Sequence, residues 1–367
     1  MQKLLIVLRW FIGLLFIFSG LVKANDPLGL SYKMQEFFEA WHLQLLNDYT
    51  LALSLAMNVF EVLAGVAVIV GYRMRLFSWL LLLLILFFTF LTGYASLSGK
   101  FKSCGCFGDC LPLTPIQSFG KDLLLLILIV IIFIHRKKIK PLFRRTTISV
   151  VILLCSVLAV LFAQGYVLKR LPFADCLPYK AGNNLLEQMK VPTGAVPDSF
   201  SVTFKYLKQG KIVEFDAQHF PQDFNDSTYQ YVERYDKLIR KGNATPAIED
   251  FALKTMSGTD TTQDILNQPN LYVLAFIKDF DNWDKQKSVF EKIAASAKQK
   301  NKPLFVVTAS PENAQKILPQ GTIILACDAT VIKTAARVNA TYFLMRGATV
   351  LKKHSYTDAE KIWNLYR

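Results

Sequence analysis

Cys104, Cys106 and Cys110 crowd into one short stretch, Ser103-Cys104-Gly105-Cys106-Phe107-Gly108-Asp109-Cys110, between two long apolar runs. Thiols this dense point to thiol–disulfide exchange, in which a thiolate attacks a disulfide sulfur through a mixed disulfide. Cys104 and Cys106 are one residue apart. A bond between them would close a tight ring, and strained disulfides are the readily reduced ones. Cys110 can serve as the third thiol that resolves a mixed disulfide. Gly105 and Gly108 give the backbone the freedom that exchange needs. Cys176 returns towards the same surface and can instead pair with Cys110, leaving Cys104 and Cys106 as the working pair. Two other chemistries suit these residues. One is a static disulfide staple of the loop. The other is a Cys₄ metal site completed by Cys176. Cys-x-Cys-x₃-Cys is not ordinary zinc spacing, however, so no metal is expected.

The elements that must carry this loop are apolar. Hydrophobic residues make up 52% of the 367-residue chain and concentrate before residue 167. They form five runs, Leu4–Val22, Leu51–Val70, Leu76–Ser96, Phe119–Ile134 and Thr147–Tyr166. Each is near the length a bilayer requires, roughly 20 residues at 1.5 Å rise. Five such runs in series predict membrane spans rather than buried soluble helices. The first is too long for a signal-peptide core and lacks a small-x-small cleavage site, so it is expected to be retained. The loops 72–75 and 135–145 hold eight Lys and Arg and no acid. By the positive-inside rule they face the cytoplasm. The N-terminus then faces the cytoplasm too, and everything after residue 166 lies outside it. Cys104, Cys106, Cys110, Cys176 and Cys327 fall on that outer side, where disulfides persist. The net charge of +14 is accounted for largely by these loops, and no nucleic-acid partner is expected.

Around the thiols, Met34, Phe37, Phe38, Trp41 and Leu45 recur at helical spacing. Ser31–Leu46 therefore reads as an amphipathic helix along the outer boundary, lying on lipid or on top of the bundle. Glu61 is a carboxylate at membrane depth, expected to face the bundle interior or a cavity. Its alternative role is a structural hydrogen bond to a neighbouring helix. Lys121 and Asp122 open the fourth run just behind the cysteine loop. They read as an interfacial ion pair, or as charges that tune a thiol. Residues 167–197 are punctuated by proline and glycine and read as a linker. Ser201–Tyr206 and Lys211–Phe215 alternate around Gln209-Gly210 as a hairpin. Strands are expected at Leu271–Ile277, Pro303–Thr308 and Thr322–Ala326. Helices are expected at Ser288–Lys298, Glu312–Leu318 and Val331–Arg337. A terminal hairpin, Tyr342–Arg346 with Thr349–Lys353, and a closing helix, Asp358–Tyr366, complete an α/β sandwich order.

The cysteine loop and its flank, Cys-Gly-Cys-Phe-Gly-Asp-Cys-Leu-Pro-Leu-Thr-Pro…Gly-Lys-Asp-Leu, resemble the MauE branch of the DoxX-like membrane proteins. Phe18-Ser19-Gly20-Leu21-Val22-Lys23…Asp26-Pro27, with Glu61 and Gly65, is similar to the same superfamily. The resemblance covers roughly residues 1–140. It implies a bacterial inner-membrane protein with a redox role, linked to disulfide formation in an exported enzyme, and quinone as a carrier. The soluble part resembles the thioredoxin superfamily, nearest its peroxiredoxin-like branches, through Pro246-x-x-x-Asp250-Phe251-x-Leu253 and Gly258-x-Asp260. Two departures stand out. Ile277-Lys278-Asp279-Phe280-Asp281-Asn282-Trp283 replaces the expected Cys-x-x-Cys. Val338-Asn339-Ala340-Thr341 replaces the cis-proline. A non-proline cis bond costs about 2.5–4 kcal/mol, so Ala340 is expected in trans and the domain is expected to lack thioredoxin chemistry. Cys327 reads as a buried small hydrophobe more readily than as a lone reactive thiol.

The expected organisation is a membrane α-helical bundle of about five helices plus an α/β thioredoxin-like domain. Residues 1–140 form a four-helix unit and 141–166 a fifth helix. Residues 167–240 form a linker and hairpin region, and 241–367 the thioredoxin-like domain. The expected function is exchange of electrons between exported, periplasmic protein thiols and a membrane carrier. Cys104, Cys106 and Cys110 would carry it, with Glu61, Lys121, Asp122 and Cys176 as accessories. The alternative is a non-catalytic assembly factor, or a subunit of a membrane complex, whose soluble domain only binds. Transport through the bundle has only Glu61 and the breadth of the resembled family behind it. Membrane lipid is a partner on either reading, and no haem, flavin or nucleotide signature is visible.

Overall fold

The structure is a computed structural model that describes residues 2–362 apart from 102, 198, 218, 226, 241, 243 and 282. Five helices are long and apolar enough to cross a membrane. They are α1 (Gln2–Asn25), α3 (Thr50–Val70), α4 (Met74–Ser98), α5 (Pro115–Ile134) and α6 (Thr146–Val167). Each runs slightly past one of the five apolar runs. The chain is thus a multi-pass membrane protein. Leu83, Phe90, Leu124, Ile127, Leu154 and Phe162 point outward from the bundle, as lipid-facing side chains do. Cys155 lies on this outer surface of α6.

α1 and α3 approach closely because both carry glycine at the contact. A Cβ on Gly13 would lie 2.8 Å from the Gly65 carbonyl oxygen, and one on Gly65 2.6 Å from that of Gly13. At the end of the bundle bearing the basic loops, Arg9 of α1 donates to the Ile69 carbonyl and, at 2.9 Å, to that of Lys140. Gly71 ends α3 in the left-handed region, φ +72°.

Between α1 and α3 lies α2 (Pro27–Ala40). It starts earlier and stops sooner than the periodicity predicts. Asp26 accepts the Gly29 amide at 3.0 Å and Pro27 occupies the first turn, a strong start signal. The helix ends before His42, which takes a φ of +59°, and the chain re-enters a 3₁₀ stretch, Gln44–Tyr49.

After α6 the segment read as a linker is partly built into the soluble domain. It contains the short α7 (Leu185–Gln188), and it supplies Tyr179 and Leu185 to the core. A three-stranded antiparallel sheet follows: β1 (Ser199–Lys208), β2 (Lys211–Asp216) and β3 (Tyr229–Arg240), ordered β2-β1-β3. The hairpin was legible, but β3 was not, because charges break its alternation. Tyr206, Phe215, Phe220, Phe224 and Tyr229 form an aromatic cluster on this sheet.

The second sheet has the order β6-β5-β4-β7-β8. β4 (Leu271–Ile277), β5 (Leu304–Thr308) and β6 (Ile323–Ala326) are parallel; β7 (Thr341–Arg346) and β8 (Thr349–Ser355) complete it antiparallel. β4 is apolar on both faces because both are covered. Val273, Ala275 and Ile277 pack with Phe290 and Ile293 of α9 (Asp284–Gln299). Tyr272, Leu274 and Phe276 pack with Phe251, Leu253 and Leu266, the last from α8 (Thr262–Leu266). α10 (Pro311–Ile317) and α11 (Ala329–Ala335) connect the later strands. In place of the expected closing helix there is a 3₁₀ turn, Ala359–Ile362, and 363–367 lie outside the described residues.

The expectation of a trans bond at Ala340 is corrected: Asn339–Ala340 is cis. Asn339 is held from three sides. Its Oδ1 accepts the Lys278 amide at 3.0 Å, and its Nδ2 donates to the Asp279 carbonyl at 2.7 Å and carboxylate at 3.0 Å. Ala340 itself accepts the Tyr356 amide. The cost argument counted the isolated peptide and could not count these contacts.

Candidate thiol site at the end of the bundle

The cysteine loop joins α4 to α5 and is pinned at both ends. Phe101 is buried and stacks on Phe37 of α2, centroids 4.2 Å apart. Thr114 caps α5 in a reciprocal box with Gln117, and Pro115 fills the first turn. Inside the loop, Gly105 and Gly108 take φ of +66° and +57°, conformations that favour glycine. A Cβ on Gly105 would stand 3.2 Å from Lys33 of α2. The turn therefore lies directly under the amphipathic helix.

Cys104 and Cys106 are free and half-buried, whereas Cys110 is bonded to Cys176. The two free thiols line an apolar cavity of about 160 Å³ walled by Met34, Phe37, Trp41, Met57, Phe87 and Phe88. Burial raises the Cys104 thiol to about 11, with Cys106 adding to the rise. Burial also raises Cys106, countered by the Lys121 ammonium. Both rest as protonated thiols at neutral pH. Ser118 of α5 draws both down. Its buried hydroxyl has no other hydrogen-bond partner among the described residues, so its proton is free for a developing thiolate.

On the other side of Cys106 lies a small cavity of about 20 Å³, where Ser19, Lys23, Lys121 and Asp122 meet a wall that is otherwise apolar, Phe16, Ile85 and Leu125 among it. That is room for one water molecule. Glu61 is fully buried and ion-paired with Lys23, which is 2% exposed. The Ser19 hydroxyl lies 2.9 Å from Glu61 Oε2 and 3.1 Å from the Cys106 carbonyl oxygen. Both are acceptors, so one proton is shared between them and links the carboxylate to the loop. Lys121 pairs with Asp122, which also accepts from Thr92 at 3.0 Å. The Lys121 ammonium stands 5.2 Å from the Phe107 ring centroid.

All seven residues singled out from the sequence thus fall at one end of the bundle. Cys104, Cys106, Glu61, Lys121 and Asp122 cluster, and Cys110 and Cys176 form the adjoining bridge. Sequence reasoning missed Ser19, Lys23 and Ser118 as site residues. Ser118 is one turn before Asp122 on the buried face of α5, a spacing that could have exposed it. Lys23 could have been found by asking which cation neutralises Glu61.

The soluble domain presses on the same loop. Arg337 bonds Asp26 and Asp109, each at 2.7 Å. Lys353 bonds Asp175 at 2.8 Å, and Asn25 exchanges two hydrogen bonds with Ala174. At the end of β4, burial lowers Lys278 to about 8, and its ammonium donates to the Arg337 carbonyl at 2.9 Å. Asn282 lies outside the described residues. Cys327 is buried, and burial pushes its thiol up to about 12. Among the described residues no three His, Cys, Asp or Glu side chains converge as metal ligands.

The family model described as methylamine utilisation protein MauE matches residues 1–135, the membrane part that holds the thiol site. A second, described as a domain of unknown function (DUF8463), matches residues 200–241, the three-stranded sheet. No curated protein and no solved structure matches the chain.

Proposed function

We propose that this chain is a thiol–disulfide exchange protein of the bacterial inner membrane, passing electrons between thiols of exported proteins and a lipid-soluble carrier. The observation that carries the reading is the pair of free thiols, Cys104 and Cys106, bordering an apolar cavity beside ionisable groups. Cys110–Cys176 is the structural bridge that fixes the loop. The basic loops support an orientation with the thiol end outside the cytoplasm, where exported substrates pass. The resemblance of residues 1–135 to the MauE family supports a redox setting.

In the oxidising direction a substrate thiolate attacks one sulfur of a Cys104–Cys106 disulfide. That S–S bond breaks and a mixed disulfide forms. The second substrate thiol then displaces it, leaving a substrate disulfide and two protein thiols. Restoring the pair removes two electrons and two protons, for which a quinone, when bound, supplies the acceptor. The cavity fits such a ring: Phe37, Trp41, Phe87 and Phe88 offer aromatic faces and Met34 and Met57 adaptable walls. Ser118 stabilises the thiolate that forms. Ser19, Lys23, Glu61, Lys121 and Asp122 give the protons a polar side on which to leave.

We read the soluble domain as a thioredoxin-like shell. Its mixed sheet, with β4 central between parallel β5 and antiparallel β7, supports that reading. Lys278 and Asp279 at the end of β4, and the inert Cys327, favour a domain that docks without exchanging thiols. That observation also supports the second reading, a non-catalytic assembly factor.

The test uses the full chain in lipid nanodiscs with a dithiol peptide and a short-chain quinone. Cys104→Ser and Cys106→Ser should each reduce quinone-coupled peptide oxidation to background. Unchanged turnover in both variants would contradict the assignment. Turnover absent from the parent protein, together with partner capture that persists without the loop cysteines, would favour the assembly factor.

A further inference from the structure

We infer that Arg337, from the soluble domain, is a positioning residue for the membrane-embedded thiol pair. The inference rests on the exchange reading, but its geometry belongs to this chain's own fusion of two domains. Arg337 lies between α11 and the cis peptide, and it is 6% exposed. All three nitrogens of its guanidinium are used. Nε meets Asp26 Oδ2, one terminal nitrogen meets Asp109 Oδ2, and the other donates to the Lys333 carbonyl at 2.9 Å. The Tyr32 ring faces it, with its centroid 5.4 Å away.

Each carboxylate carries the constraint onward. Asp26 uses its other oxygen to cap α2, the helix that lies over Gly105. Asp109 sits in the 3₁₀ turn Gly108–Cys110, and the Gly108 amide donates to the Gly105 carbonyl at 3.0 Å. Gly105 is the residue between the two thiols. One planar cation therefore locks the turn that presents Cys104 and Cys106 against the helix that roofs their cavity. A lysine would hold the two carboxylates less firmly, because its ammonium is a compact point charge on a flexible stem and not a rigid planar fork.

Docking of the domain as a whole does not depend on this contact. The segment 174–176 joins the two parts independently of it: the Cys110–Cys176 bridge and the Asn25–Ala174 hydrogen bonds fix that segment to the bundle, and the Lys353–Asp175 pair fixes it to β8. Removing Arg337 should accordingly loosen the turn without detaching the domain.

The experiment measures site-resolved alkylation rates of Cys104 and Cys106 by a maleimide, in the full chain in nanodiscs. Arg337→Gln and Asp109→Asn should each raise the rates about tenfold, the scale of one lost charge-assisted hydrogen bond. Their combination should raise them no further, and Arg337→Lys should fall between parent and Gln. Lys353→Met, which breaks the contact of β8 with Asp175 and leaves both carboxylates of Arg337 in place, should leave the rates unchanged. Parent-like rates in both Arg337→Gln and Asp109→Asn would overturn the inference. So would an equal rise in Lys353→Met, which would mean general loosening. Asp109→Asn leaves the soluble domain's own core intact, so it decides the matter if Arg337→Gln fails to fold. Alkylation needs no turnover. A parent protein that never couples to quinone sinks the exchange reading alone, while turnover with unaltered variant rates sinks only the positioning role.

Discussion

Glu61 is the residue on which the interior of the bundle depends most. Its carboxylate and the Lys23 ammonium are both sealed from solvent, and neither is tolerable without the other. Glu61→Gln leaves a buried cation uncompensated and should cost about 3–5 kcal/mol, read as a lower thermal midpoint of the purified protein in detergent. A Lys23→Met/Glu61→Met double variant should recover most of that loss, since an apolar pair needs no neutralising. Equal midpoints for parent and Glu61→Gln would show that the pair is not structurally coupled. Glu61 was legible in the sequence because a carboxylate inside an apolar run is conspicuous. Its partners were not, because Lys23 sits at a helix end where a basic residue is unremarkable, and Ser19 resembles any small helix-packing residue. The thiols were legible by density. That Cys110 reaches Cys176 and leaves the other two free needed the fold, since spacing alone permits several pairings.

Among the elements, α1 and α3 show how close approach replaces the hydrophobic effect inside a membrane, where lipid is as apolar as leucine. Gly13 and Gly65 let the two backbones nearly touch, and this contact brings Lys23 and Ser19 of α1 to Glu61 of α3. Gly65→Val should force the helices apart and cost roughly 1–3 kcal/mol. Thermal melting would show it, and the Cys106 alkylation rate should rise with it because the Ser19 link to the loop is lost. An unchanged melt would contradict the close packing. The spanning helices and the strands of the larger sheet were readable from apolar runs and turn residues. β3 was not, since Gln230, Glu233, Arg234 and Asp236 interrupt its pattern and only pairing with β1 makes it a strand. The cis peptide was misread because its contacts come from residues some sixty positions away.

For the whole molecule, the fusion places a folded lobe on the end of the bundle where the thiols lie. The apolar cavity is walled by α2, α3 and α4, while Arg337, Asp175 and the Cys110–Cys176 bridge hold the lobe close to the loop. On the proposed reading, the apolar cavity is the side open to a lipid-soluble carrier and the lobe's side is the one open to an exported protein. The most direct test is the redox state of the six cysteines in intact cells, counted by differential mass tagging with the quinone pool first oxidised and then reduced. The account expects Cys104 and Cys106 to gain two tags together when the pool is reduced, with Cys110 and Cys176 untagged throughout. Cys104 and Cys106 locked in one state under both conditions, or a change confined to Cys110 and Cys176, would contradict it.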